Sequence, residues 1–286
     1  MSLAAAVATA GFAASTGKVP RLVFPVVGEA SFENDFGDPR AQGSHEGIDI
    51  LADRKAVAVA AEAGKVKLWT QANAGCMLYL YGRSGTTYLY VHLNNDRGAG
   101  NDNRGKCVAG TAFAPGLKSG AYVEAGEPVG FVGDSGDANG IHPHLHFEVH
   151  PSGGAATNPF RRLRHALRLF FPASPTETVT LTLSGTVVEA ASDRFSVKVT
   201  SLRVFPAGGE AATVTRPLTL GLPATAQIDD GGAISEPGPD TAATLSGKDV
   251  VVLTEPVLAT LAAASGQPGA LSASRVVLGV TSAGGP

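Results

Sequence analysis

The side chains able to do chemistry gather in three places. His45-Glu46-Gly47-Ile48-Asp49 sets an imidazole and a carboxylate four positions apart. On a helix that spacing would suggest His-Glu-x-x-His, in which two histidines share one face. Here the last position is an aspartate, Gly47 weakens a helix, and Ile48-Asp49-Ile50-Leu51 alternates like a strand. The segment reads as a loop entering a strand, so Glu46 is not assigned as a general base. From His142 to His150, Pro143, Leu145, Phe147 and Val149 hold one parity; His142, His144, His146, Glu148 and His150 hold the other. Period two predicts a strand with one buried face and one face of imidazoles and a carboxylate. Same-face residues on a strand stand about 7 Å apart. One imidazole can therefore hold a metal while its neighbour stands beside the open coordination position. Two nitrogens and one oxygen suit Zn²⁺, and three protein ligands leave a fourth position for water, as catalytic sites do. His92, ending Tyr88-Leu89-Tyr90-Val91, can face the same cleft.

Such side chains need rigid elements to position them, and the composition indicates which kind. The 286 residues include 36 glycines and 18 prolines, with 16% charged and 6% aromatic residues. This favours short strands joined by tight turns, and argues against coiled coils or helical repeats. With 44% hydrophobic residues, wholesale disorder is excluded. A net charge of −3 leaves no broad basic footprint for nucleic acid.

All seven histidines, all five tyrosines and the single tryptophan precede residue 170, and Phe171-Pro172-Ala173-Ser174-Pro175 reads as a linker. The expected division is an apolar segment at 1–19, a site-bearing domain at 20–172 and a small β domain at 173–286. In the site-bearing part, strands are expected at Ala56 to Val66, Met77 to Tyr81 and Thr87 to His92, with a strand-turn-strand at Val123 to Gly130. A helix is expected from Asn158 to Phe171, with Arg161, Arg162, Arg164 and Arg168 on its solvated side. In the last part, β-rich runs at 179–183, 195–199, 214–220, 250–253 and 276–280 predict a barrel or sandwich. Gly185-Thr186-Val187 and Ser246 to Val250 make it similar to the small OB-like β-barrels appended to some exported bacterial proteins. Its only aromatics are Phe195 and Phe205 and its charge is acidic. A spacer or docking role is therefore expected rather than a stacking grip on single strands or glycans; its partner is not read from the sequence.

Leu3 to Ser15 is an apolar, small-residue run, too short for a membrane span of about 20 residues. It resembles the core of a secretory signal without the basic start, so a secreted or cell-envelope location and no stable membrane span are expected. Cys76 and Cys107 fit one disulfide of an exported chain, or two buried thiols. The long Asn94 to Ala121 stretch is rich in Asn and Asp without EF-hand spacing, and is expected to be a flexible lid or rim loop.

Three blocks in order resemble the lysostaphin-type zinc metalloendopeptidases of bacterial cell-wall cleavage. They are His45-x-x-x-Asp49, preceded by Phe36-Gly-Asp-Pro-Arg40; Tyr90-Val91-His92-Leu93; and His144-Leu145-His146-Phe147-Glu148. The resemblance runs from about Phe24 to Phe160 and implies an antiparallel β-sheet metallopeptidase domain. It implies His45, Asp49 and His146 as zinc ligands and His92 and His144 as catalytic histidines. Glu148, on the same polar face of the strip, reads either as a partner that fixes a histidine tautomer or as a plain surface carboxylate. His142-Pro143-His144 offers the same pattern two residues earlier, but the following Leu-His-Phe-Glu favours 144 and 146. The implied function is hydrolysis of peptide bonds in peptidoglycan stems or cross-bridges. The alternative is a latent or non-catalytic wall-binding protein on the same fold.

Overall fold

The computed structural model describes residues 21–41, 43–173, 177–206, 214, 217–259, 262 and 271–279. The apolar segment expected at 1–19 lies outside them. The architecture is mostly β. Pro39–Arg40 (β1) and Gly43–Ser44 (β2) form a small ribbon; then follow Ile48–Leu51 (β3), Val57–Val59 (β4), Gly64–Gln71 (β5), Gly75–Gly82 (β6), Thr87–Leu93 (β7), Tyr122–Val123 (β8), Pro128–Phe131 (β9) and His144–His150 (β10). Six of these make one antiparallel sheet in the order β3-β10-β7-β6-β5-β8, and β4 pairs with β9 separately.

Alternation decides which face is buried. Ile48 and Ile50 of β3, Leu78 and Leu80 of β6, Tyr88 and Tyr90 of β7, and Leu145, Phe147 and Val149 of β10 share one core. Each such side chain contributes roughly 1.5–3 kcal/mol when fully buried. The Tyr90 hydroxyl stays satisfied there, donating to the Val59 carbonyl at 2.9 Å and accepting the Ala61 N–H at 2.7 Å. The odd-parity residues of β10's neighbours point the other way and floor a groove.

Two expectations need correction. The run from Ala56 to Val66 is two strands, because the chain leaves the β4–β9 pair at Ala60 and joins the main sheet at Gly64. Between them Glu62 turns inward to accept from the Ser84 amide and the Tyr88 hydroxyl at 2.6 and 2.7 Å. The helix expected from Asn158 to Phe171 is only Phe160–Arg164 (α1). Beyond it Leu167 exchanges backbone bonds with Leu22 and Phe24, both at 2.8 Å, so pairing with the N-terminal segment overrides helical spacing. Arg168 is not on a solvated side: its guanidinium lies 4.0 Å over the Phe24 ring.

The last part contains Thr178–Ala190 (β11), Arg194–Phe205 (β12), Leu218–Gly221 (β13), Gln227–Asp229 (β14), Ile234–Ser235 (β15), Thr241–Leu245 (α2), Asp249–Thr254 (β16), Val257–Leu258 (β17) and Ala273–Leu278 (β18). Its sheet runs β13-β12-β11-β16-β18-β14-β15, with β17 on the start of β11. It curls until Gly221 bridges to Ser272, just before β18. The strand expected from Val214 begins only at Leu218, after Pro217, and Val280 lies outside the described residues. Leu181, Leu183, Phe195, Val197, Val250 and Val252 fill its interior, and Val23, Val27, Val59, Leu169, Phe170 and Phe171 belong to the same cluster. Apolar packing therefore crosses the linker.

Candidate active site

The antiparallel register of β3 and β10 sets Asp49 directly opposite His146. Both lie on the groove face, and the loop before β3 brings His45 over them. Gly47 allows this approach, since a Cβ there would lie 2.8 Å from Nε2 of His146. Nε2 of His45, Oδ1 of Asp49 and Nδ1 of His146 then form a triangle with edges of 3.1, 3.0 and 2.8 Å. A tetrahedral ion with bonds of about 2.0–2.1 Å separates its ligand atoms by about 3.3 Å, so the three donors need to open by only a few tenths of an ångström.

The outer atom of each donor group is committed elsewhere. Nδ1 of His45 bonds the Asp35 carbonyl oxygen at 2.8 Å, leaving the Nε2 lone pair free. Arg40 donates to Oδ2 of Asp49 at 2.9 Å, which leaves Oδ1 for the triangle. Nε2 of His146 bonds Oε1 of Glu148 at 2.9 Å, and Oε2 of Glu148 takes the His150 ring at 2.6 Å. These bonds select the ring nitrogens that point inward, the arrangement metal-binding histidines need.

The electrostatics favour a cation between the donors. Burial opposes charge on Asp49, but the adjoining His146 and His45 rings outweigh it and hold the carboxyl well below the usual range. Burial likewise opposes the His146 imidazolium, yet Asp49 and Glu148 raise its pKa to about 9.

Two further imidazoles flank the triangle. His144, one step along β10, is buried, and its Nε2 stands 3.8 Å from Oδ1 of Asp49 while Nδ1 bonds the His142 carbonyl oxygen at 3.0 Å. His92 sits across from it, with ring centroids 5.1 Å apart. By parity His92 belongs with Tyr88 and Tyr90 in the core. It reaches the groove because pairing of β6 with β7 slips between Cys76 and Leu78, and His92 takes φ of +60°. A β-bulge re-aims a side chain in this way. Burial depresses the His92 pKa to about 4.

The groove has a cavity volume of about 1230 Å³ and is lined by all five of these residues, with Glu148, His150, Asp137 and the β6 tyrosines. His150 also lines it, held by Glu148. His142 is exposed, and His165 lies on the exposed end of α1 away from it. No residue from Asn94 to Ala121 lines the groove. That stretch is pinned beside it rather than poised as a lid: Arg54 clasps Asp134 at 2.7 and 2.9 Å and also bonds Asp96. Asp96 in turn accepts the amides of Asp102 and Asn103, both at 2.7 Å. Cys107 is joined to Cys76 on β6 as a disulfide, with Cα atoms 5.0 Å apart. Sequence reading missed the supporting roles of Asp35, Arg40 and Ser135; only the Phe36-Gly-Asp-Pro-Arg40 block pointed toward the second.

The model of Peptidase family M23 matches residues 43–159, which span both strands of the donor triangle and the bulge. This segment is an M23 peptidase domain. Among curated relatives, this chain is 28% identical over 153 residues to the L-Ala--D-Glu endopeptidase of Bacillus subtilis (strain 168), covering 49% of this chain and 41% of that protein. The match thus spans less than half of the relative's length. Among solved structures it is similar to the catalytic domain of the antimicrobial peptidase lysostaphin from Staphylococcus simulans, at 22% identity, 47% and 92% coverage and a TM-score of 0.35. It is also similar to a zinc containing peptidase from Vibrio cholerae, at 21% identity, 48% and 38% coverage and a TM-score of 0.35. In the M23 domain, then, a metal-capable triad of His45, Asp49 and His146 stands in an open groove beside two further histidines.

Proposed function

We propose that this chain is an exported zinc metalloendopeptidase that hydrolyses peptide bonds in the stems or cross-bridges of bacterial peptidoglycan. The observation that carries the reading is the donor triangle of His45, Asp49 and His146, with His144 and His92 facing its open side. Two neutral imidazoles and a carboxylate are the donor set of a catalytic zinc site. When bound, zinc supplies a Lewis acid that acidifies water and polarises a peptide carbonyl.

The remaining work falls to the chain's own groups. His144 and His92 each commit Nδ1 to a backbone carbonyl, at 3.0 and 2.8 Å, so each keeps Nε2 for the groove. His144 orients or deprotonates the attacking water beside Asp49. His92, neutral at neutral pH with an unprotonated Nε2, accepts a proton released in the groove and passes it to the leaving amine. Arg40 and Glu148 hold the donors in place.

The wall peptide as substrate class is supported by the name of a relative, an L-Ala--D-Glu endopeptidase. A secreted or envelope location goes with that substrate, and no helix among the described residues is long and apolar enough to cross a membrane. The β unit after residue 177 is assigned a spacer or docking role.

The test is digestion of purified murein by wild-type and His144→Ala protein, with and without chelator, reading new amino termini by mass spectrometry. Chelator-sensitive cleavage by the wild type alone is expected. Equal cleavage by both proteins, or none by a zinc-loaded wild type, overturns the reading.

A further inference from the structure

His92 lies on the groove side through a bulge at positive φ, a conformation uncommon outside glycine. Its amide donates to the Ala74 carbonyl at 3.2 Å, and further support comes from Ser135 in the loop between β9 and β10. Ser135 is buried. Its Oγ accepts the Cys76 amide at 2.9 Å and donates to the Leu93 carbonyl at 2.5 Å. Cys76 and Leu93 are the facing pair at which β6 and β7 resume pairing after the bulge. The hydroxyl thus bridges the two strands where the ladder is interrupted. The carbonyl oxygen of the same residue accepts Nδ1–H of His92 at 2.8 Å.

The fit around Ser135 is tight and depends on glycine. A Cβ at Gly75 would lie 2.3 Å from the Ser135 Oγ, and one at Gly136 would lie 2.1 Å from the Asn73 carbonyl oxygen. On the preceding side, Asp134 is anchored by Arg54. The loop therefore delivers Ser135 to one place, with both its hydroxyl and its carbonyl used.

We propose that Ser135 is the positioning residue for His92, its hydroxyl locking the β6–β7 bulge while its carbonyl sets the ring's tautomer and aim. This rests on reading His92 as a catalytic histidine, and the test separates the two ideas. In ¹⁵N-histidine NMR of the zinc-loaded full chain, with the His92 signals assigned through His92→Gln, wild type should show a single Nδ1–H tautomer. Ser135→Ala should show mixed tautomers. On a murein peptide, Ser135→Ala should lower kcat by about 10²-fold with KM and zinc content held. In a His92→Gln background the same change should cost no more than about 2-fold.

A Ser135→Ala protein with the wild-type His92 signals, or with equal losses in both backgrounds, overturns the proposal. Should Ser135→Ala not fold, Ser135→Cys keeps the side chain's size but bonds only weakly and should produce the same NMR change; unaltered signals there also overturn it. Should wild type cleave nothing, the peptidase reading fails while the NMR arm still decides the role of Ser135.

Discussion

Nε2 of His146 donates to Oε1 of Glu148 at 2.9 Å, and that bond determines which nitrogen of the ring is left to face Asp49. Both residues lie on the groove side of β10, two positions apart, so the strand's own period brings them together. A carboxylate behind a metal-binding imidazole holds its orientation and makes it more basic. Glu148→Ala should therefore weaken zinc affinity by about 10- to 100-fold without removing a ligand. Competition with a chromophoric chelator measures this, and an unchanged affinity would remove Glu148 from the site.

Neighbouring histidines of β10 should behave differently. His146→Ala is expected to lose zinc, since Nδ1 is one corner of the donor triangle. His144→Ala should keep zinc and lose turnover by about 10²-fold or more. Metal content of the purified proteins, set beside their murein digestion, separates the two. Loss of metal from the His144 variant would contradict the division of roles.

The depressed pKa of His92, about 4 in the fold, has a consequence for stability. Between about 4 and 6.5 the unfolded chain binds a proton at His92 that the folded protein refuses. Stability should thus fall as pH drops through that window, by an amount on the order of 3 kcal/mol from this residue. Below the folded pKa the loss stops growing. Urea unfolding of metal-free wild type and His92→Gln at several pH values checks it: the wild type should lose stability more steeply between pH 6.5 and 4. Parallel curves would show that His92 is not held neutral.

Cys76 and Cys107 close a loop across 31 positions, and Cys107 lies within the pinned Asn94 to Ala121 stretch. Replacing both with serine frees that loop in the unfolded chain and should cost about 3–4 kcal/mol. Denaturant midpoints of the double variant against wild type, under non-reducing conditions, measure it. A midpoint shift near zero would show that the Arg54, Asp96 and Asp134 network fixes the loop unaided.

Much of the site was legible because it follows local rules. The β10 strip alternates without exception, so its chemical face could be read residue by residue. Ile48-Asp49-Ile50 does the same on the facing strand, and the spacing of His45 from Asp49 survives because a loop with Gly47 folds back over the ladder. The mostly β character followed from glycine, proline and the brevity of the apolar runs. The longer helix after Asn158 was misread because its 3.6-residue spacing is genuine but loses to backbone pairing with Leu22 and Phe24. That competition lies more than 130 positions away, where no local pattern reports it.

The sequence by itself determined which residue types are present and which share a strand face, because side-chain parity is a property of the backbone alone. It could not determine that Asp49 stands opposite His146, since register depends on how the two strands pack into their shared core. Parity alone assigns His92 to the core beside Tyr88 and Tyr90, although the Tyr90-Val91-His92-Leu93 block pointed it to the cleft. Only the tertiary structure turns it outward, through a bulge held by the buried hydroxyl of Ser135. The physical reason is that a positive φ at a histidine is disfavoured locally and persists only when distant groups hold it there.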